Sequence, residues 1–144
     1  MEKITSFTID HLNHPAGIYL SRIDGDIYTY DVRICKPYSD ELMTNEQMHS
    51  LEHLLATVLR NGRLSGNTIY VGPMGCQTGF YVLMRDVELN EATKYIMEGF
   101  DAVLAYDGEM PGGSKEECGY YYNLSVEAAK TIAKIFKERT PTFL

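Results

Sequence analysis

The sequence predicts an α+β fold, an antiparallel sheet packed with helices in one domain over residues 1–144. Three observations carry that reading. The chain has 144 residues, of which 44% are hydrophobic, enough for one core. Its strand patterns come as neighbouring pairs, whereas a doubly wound fold alternates each strand with a helix. No Gly-rich phosphate loop follows a strand pattern, so a nucleotide-binding fold has no support.

The first strand pair is "GIYLSRIDGDIYTYDVRIC", residues 17–35. Asp24-Gly25 supplies a hairpin turn. Alternation puts Tyr28, Tyr30, Val32 and Ile34 on one face, which the core should claim. Thr29, Asp31, Arg33 and Cys35 share the other. On that face Arg33 is either solvated, the common outcome, or the anchor for a substrate carboxylate.

A helix follows over residues 44–61. Thr44 and Gln47 fit a capping box. Met48, Leu51, Leu55 and Val58 form an apolar stripe, and Asn61-Gly62 supplies the stop. "NTIYVGPMGCQTGFYVLMR" (67–85) reads as two strands interrupted by "GPMGCQTG". Asn90 is placed to cap a helix reaching about Ala105. Residues 106–119 form a loop. Ser125 caps the last helix, with Glu127 near its start and Lys134, Lys137 and Arg139 near its end, as the helix dipole prefers.

Composition excludes some functions. The formal net charge is −7, and no basic block is present, so nucleic acid is not an expected partner. No apolar run has the length of a membrane span. The start, "MEKITSFTIDH", lacks the basic and apolar regions of a signal peptide. Three well-separated cysteines fit a reducing compartment, so a cytoplasmic protein is expected.

The chemistry is concentrated in "MHSLEHLLATVLRNG". His49 and His53 lie four apart on one helix face and can both reach one metal ion. Glu52 neighbours that face. The order His-x-x-Glu-His also occurs as the inverted zinc motif of some peptidases. A metal site of this kind wants a third protein ligand, for which Cys35, Cys76, Cys118, His11 and His14 are candidates. Cys118 precedes Gly119 in a loop, which lets a sulfur approach a helix without strain, and it is equally readable as a small buried apolar residue, the usual role of a free cysteine. Cys76 lies between Gly75 and Gly79, where backbone can come close to a ligand; it is either a buried cysteine at a strand bend, which composition favours, or an exposed one near a cation, able to act as base or acid. Spacing alone assigns nothing to Ser6 or His11.

Five ordered blocks, "SFTIDH", "YDVRICKP", "HSLEHL", "GPMGCQTGFY" and "CGYYYNLSVEAAK", resemble the S-ribosylhomocysteine lyase (LuxS) family. The resemblance runs from Ser6 to about Lys130. It implies cleavage of S-ribosyl-L-homocysteine to L-homocysteine and 4,5-dihydroxy-2,3-pentanedione, the autoinducer-2 precursor of quorum sensing. The route it implies is metal-assisted carbonyl migration followed by β-elimination. By block position it implies His49, His53 and Cys118 as metal ligands and Cys76 and Glu52 as the acid/base pair. Ser6, His11 and Arg33 match its substrate contacts. The implied cofactor is Fe(II), one per chain, often replaced by Zn or Co in isolated protein. The implied fold is LuxS/metallopeptidase-like, and the implied assembly is a homodimer with the site at its interface. Three positions depart from the family's usual block: Tyr70 stands for Asp, Gly72 for Ser and Gln77 for Arg. The rival functions are a small inverted-motif (HxxEH) zinc peptidase and a non-catalytic metal-binding domain.

Overall fold

The structure is a computed structural model that describes residues 1–2, 15–35 and 42–141. Among the described residues, four strands form one antiparallel sheet: β1 (Gly17–Asp24), β2 (Ile27–Arg33), β3 (Thr68–Pro73) and β4 (Gly79–Arg85). Their order across the sheet is β1-β2-β4-β3. The described residues also form three α-helices: α1 (Asn45–Leu59), α2 (Leu89–Ala105) and α3 (Val126–Arg139). The arrangement is the expected α+β one, with two hairpins sharing the β2–β4 pair as their seam. Among the described residues, no helix is long and apolar enough to cross a membrane.

The β1–β2 turn is centred on Gly25 and Asp26, because Asp24 pairs with Ile27. Gly25 adopts φ +63°, the left-handed conformation that glycine accepts most easily. Tyr30, Val32 and Ile34 are buried in the core and Tyr28 packs against it, as the alternation requires. The opposite face departs from expectation. Asp31, Arg33 and Cys35 are buried as well, so Arg33 is not a solvated side chain. The pairing of Arg33 with Asp31 makes that burial tolerable, since a buried cation needs a carboxylate beside it.

The capping box on α1 is present in full: Thr44 Oγ1 accepts from the Gln47 amide and Gln47 Oε1 from the Thr44 amide. The buried face of α1 is wider than the expected stripe. Leu51, Leu54, Leu55 and Leu59 are buried, while Met48 and Val58 are only partly so. The reason is that α1 packs against α2, α3 and β3, not against one partner. Gly99 of α2 permits this packing, since a Cβ there would lie 2.6 Å from Leu59 Cδ2.

Helix α2 starts earlier than Asn90 suggests. Glu88 is its N-cap, and the Glu88 carbonyl accepts from the Ala92 amide at 2.9 Å. The Tyr30 hydroxyl donates to the Val87 carbonyl and anchors the chain just ahead of that point. Asn90 therefore falls within the first turn. Ser125 does cap α3, accepting from the Ala128 amide at 3.2 Å, and Lys137 and Arg139 occupy its last turn. Phe100 of α2 meets Phe136 of α3 with ring centroids 4.5 Å apart, at the centre of the helical layer.

Candidate metal centre and acid/base corner

His49 and His53 face the same side of α1, with ring centroids 4.7 Å apart and planes at 88°. Cys118 comes to them from the long loop after α2. A donor atom from each of His49, His53 and Cys118 lies within 4.8 Å of the other two. Cys118 Sγ is 3.4 Å from His49 Nε2. Of the five third-ligand candidates, the described structure brings Cys118 to the histidine pair. His11 and His14 lie outside the described residues, as does Ser6. Cys35 is buried at the end of β2.

The outer contacts of the two rings decide what each can do. His53 Nδ1 is 2.9 Å from the Pro111 carbonyl oxygen. A carbonyl only accepts, so Nδ1 carries the proton and Nε2 keeps its lone pair. His49 Nδ1 is 2.7 Å from Asn123 Oδ1, which fixes the same tautomer. In the neutral form each ring therefore has its lone pair on Nε2, and that of His49 lies 3.4 Å from the Cys118 sulfur. Such orientation by an outer acceptor is a regular accompaniment of metal-ligating histidines. Two imidazoles and a thiolate suit Fe(II), Zn(II) or Co(II), and three protein donors leave a position for a substrate.

Several residues that spacing did not single out build this arrangement. Ser50, one position after His49, accepts from the Ser125 amide at 2.9 Å and donates to the Asn123 carbonyl at 3.5 Å. It thereby ties the 3-10 turn Tyr121–Asn123 to α1 and sets Asn123 against His49. Gly112, at φ +66°, lies under the other ring, where a Cβ would come within 3.0 Å of His53 Nδ1. Cys118 closes a turn in which its amide donates to the Ser114 carbonyl at 3.0 Å. Only Gly112 could have been suspected from sequence, as half of a Gly-Gly pair in the loop.

Cys76 belongs to a second group. Gly79 of β4 pairs with Arg33 of β2, and a Cβ at Gly79 would lie 2.3 Å from the Val32 carbonyl oxygen. This close approach carries the 74–78 turn up to Arg33. The Thr78 carbonyl accepts from the Ile34 and Cys35 amides at 2.8 and 2.9 Å. Arg33 donates through Nη2 to Asp31 Oδ2 at 2.8 Å and through Nη1 to Thr78 Oγ1. Cys76 Sγ lies 3.0 Å from Thr78 Oγ1 and 3.9 Å from Arg33 Nη1. Cys76 is exposed, whereas Arg33 is only 1% exposed. Arg33 Nε has no hydrogen-bond partner among the described residues. Tyr19 pairs with Asp31 across the sheet, and burial, followed by the Asp31 charge, pushes its phenol pKa up.

The two groups are linked through the approach to α1. Gln77 Nε2 donates to the Met43 carbonyl at 2.7 Å, and the Met43 amide donates to the Gln77 carbonyl at 3.1 Å. The turn that holds Cys76 is thus fastened to the residue before the Thr44 cap of the histidine helix. Gln77, one of the three departures from the resembled block, sits at φ +64°, a left-handed conformation uncommon for a residue with a side chain. The other two departures go together. Tyr70 folds back over Gly72, where a Cβ would fall 2.2 Å from the Tyr70 hydroxyl oxygen. A Ser at residue 72 and Tyr70 in this rotamer exclude each other. Glu52 is half-buried on α1, three residues after His49 and one before His53.

Fold and site together define a small α+β protein with a His/His/Cys metal-binding triad and a second, cysteine-bearing corner. The chain belongs to the S-ribosylhomocysteinase (LuxS) family, whose model matches residues 4–142. It is 43% identical over 135 residues to the S-ribosylhomocysteine lyase of Finegoldia magna, covering 90% of this chain and 86% of that protein. The S-ribosylhomocysteine lyase of Clostridium beijerinckii is 39% identical over 142 residues, 94% of this chain and 89% of the relative. That of Clostridium acetobutylicum is 39% identical over 142 residues, 94% and 90% respectively.

Proposed function

We infer that this chain is an S-ribosylhomocysteine lyase, releasing L-homocysteine and 4,5-dihydroxy-2,3-pentanedione from S-ribosyl-L-homocysteine. The observation that carries the reading is the meeting of His49, His53 and Cys118 donor atoms, with both histidine Nδ1 atoms engaged by outer acceptors, in a family member. The third donor is a thiol and not a carboxylate, so the inverted-motif peptidase is not favoured.

The reaction needs proton movement above all. A thioether on the fifth sugar carbon leaves only when a carbonyl stands two carbons away, at the third. The carbonyl begins at the first carbon and must move twice. Each move takes a proton from the carbon beside the carbonyl and returns one to the former carbonyl carbon. In the last step the proton on the fourth carbon is removed, the carbon–sulfur bond breaks, and its electron pair leaves with homocysteine sulfur. The resulting enol collapses to the diketone.

His49, His53 and Cys118 would hold one metal per chain, which when bound supplies Lewis-acid polarisation of the sugar oxygens. No step is a redox step, so Fe(II), the ion the family resemblance implies, would serve here as Zn(II) or Co(II) would. Cys76 Sγ and the Glu52 carboxylate exchange the protons. Ser6, His11 and Arg33 are assigned to the substrate, with Arg33 Nη1 3.9 Å from the Cys76 sulfur.

We assign the active assembly to a homodimer with the site at its interface. Cys76 is exposed in the single chain, and proton abstraction beside a carbonyl benefits from a site closed to water. Its three cysteines are thiols, which suits the cytoplasm. The family match over residues 4–142 supports a single domain.

The test is to incubate anaerobically purified, metal-replete protein with S-ribosylhomocysteine and assay homocysteine thiol. Stoichiometric thiol release supports the lyase, and its absence from metal-replete protein overturns it. Sedimentation at assay concentration, with activity followed on dilution, tests the dimer. A monomer of undiminished specific activity overturns that assignment.

A further inference from the structure

We propose that Thr78 is a positioning residue for the Cys76 sulfur: its hydroxyl, held in place by Arg33, accepts from the thiol and donates to the thiolate. The inference rests on the assignment of Cys76 to proton transfer.

The geometry supplies the argument. Thr78 is buried, and its backbone is pinned by the Ile34 and Cys35 amides. Its hydroxyl oxygen receives Arg33 Nη1 and lies 3.0 Å from Cys76 Sγ. A hydroxyl has two lone pairs and one proton. With Arg33 on one lone pair, the other lone pair and the proton remain for the sulfur. When Cys76 is a thiol, its S–H can point to the second lone pair. When Cys76 has lost its proton it can only accept, and rotation of the Thr78 O–H supplies the donor. One small hydroxyl therefore follows the sulfur through both states of a proton-transfer cycle.

Arg33 gives the device its direction. Its Nη2 is tied to Asp31, so the guanidinium cannot swing away from Thr78. From β2 the facing charged groups are Arg33 and Asp31, and their charges largely offset each other. From the segment before α1 the contact to this turn is the uncharged Met43. Arg33 Nη1 also reaches the sulfur, at 3.9 Å, and the hydroxyl, at 3.0 Å, is the nearer of the two groups able to stabilise sulfur charge at this corner. Hydrogen bonds to charged groups are also roughly twice as strong as neutral ones.

The test uses the metal-loaded full chain and follows iodoacetamide alkylation of the Cys76 peptide by mass spectrometry. The quantity read is the ratio of alkylation rates at two pH values, about 7 and about 10, because a change in mere access cancels in it. Thr78→Val should lower that ratio by roughly tenfold, the scale of one hydrogen bond to a charged group. Thr78→Ser, which keeps the hydroxyl, should restore it. Thr78→Ala removes the hydroxyl without added bulk and gives the same comparison should valine disturb folding. An unchanged ratio in Thr78→Val or Thr78→Ala would overturn the inference, as would a ratio in Thr78→Ser as low as in Thr78→Val. Because alkylation needs no substrate, failure of the lyase assignment would leave this readout intact.

Discussion

Asn123 Oδ1 sits 2.7 Å from His49 Nδ1, across 74 residues of sequence, and this contact decides which nitrogen of His49 is available. Without the acceptor, the ring is free to turn over or to change tautomer. Asn123→Ala should therefore weaken metal binding by about 10- to 100-fold, the usual effect of losing an outer partner of a ligating histidine. Competitive titration against a chelator measures it. Unchanged affinity would mean that His49 is oriented by packing alone.

Cys76 and Cys118 should fail in different ways. Cys118→Ala removes a metal donor and should yield protein depleted in metal by elemental analysis. Cys76→Ala should keep its metal and lose turnover by at least ~100-fold, the low end for one acid/base group. Normal turnover in Cys76→Ala would make that cysteine structural.

Much of this was legible in the sequence, and the limits have physical reasons. Strand faces, the Thr44 and Ser125 caps and the spacing of His49 and His53 are local rules, written over a few neighbouring residues. The start of α2 lies ahead of Asn90, next to Val87, whose carbonyl is held by Tyr30, a residue distant in sequence. Arg33 was open between solvent and substrate because its burial depends on Asp31 and Thr78, and the latter arrives on another strand. Asn123 and Pro111 carry no spacing signal, and Gly112 carries only that of a Gly-Gly pair. They matter through what the long loop places around two rings on α1.

Asp31 and Arg33 form an ion pair with both side chains 1% exposed. Asp31→Ala leaves a buried guanidinium without its carboxylate, which costs about 3–5 kcal/mol. Urea unfolding should show that loss, with turnover falling in parallel because Arg33 no longer directs Thr78. A loss below about 1 kcal/mol, the range of exposed pairs, would show that water reaches the pair.

Burial pushes the Tyr30 phenol up to about 12 from an ordinary 10.0. The folded state then holds the proton more tightly than the unfolded state. The resulting stability is fully present below pH ~10 and is lost as pH rises through about 12. Thermal unfolding across that window should fall more steeply for the wild type than for Tyr30→Phe, which cannot ionise. Parallel curves would assign alkaline unfolding to other groups.

Gly112 and Gly25 offer a matched comparison. Both adopt nearly the same left-handed backbone, φ +66° and +63°. An alanine at either residue meets the same intrinsic penalty, about 1–2 kcal/mol. Their surroundings differ. Nothing lies within 4 Å of a Cβ at Gly25, whereas a Cβ at Gly112 would be 3.0 Å from His53 Nδ1 and 3.2 Å from its Cε1. A Cβ there presses on the same ring edge that the Pro111 carbonyl holds, and so disturbs the contact that orients His53. Gly25→Ala should thus lose stability and keep its metal affinity. Gly112→Ala should lose a similar amount of stability and also bind metal more weakly, by about 10-fold or more. Denaturation of the metal-depleted proteins gives the first quantity and chelator competition the second. Equal metal affinity in the two variants would show that the ring does not depend on the bare backbone beneath it.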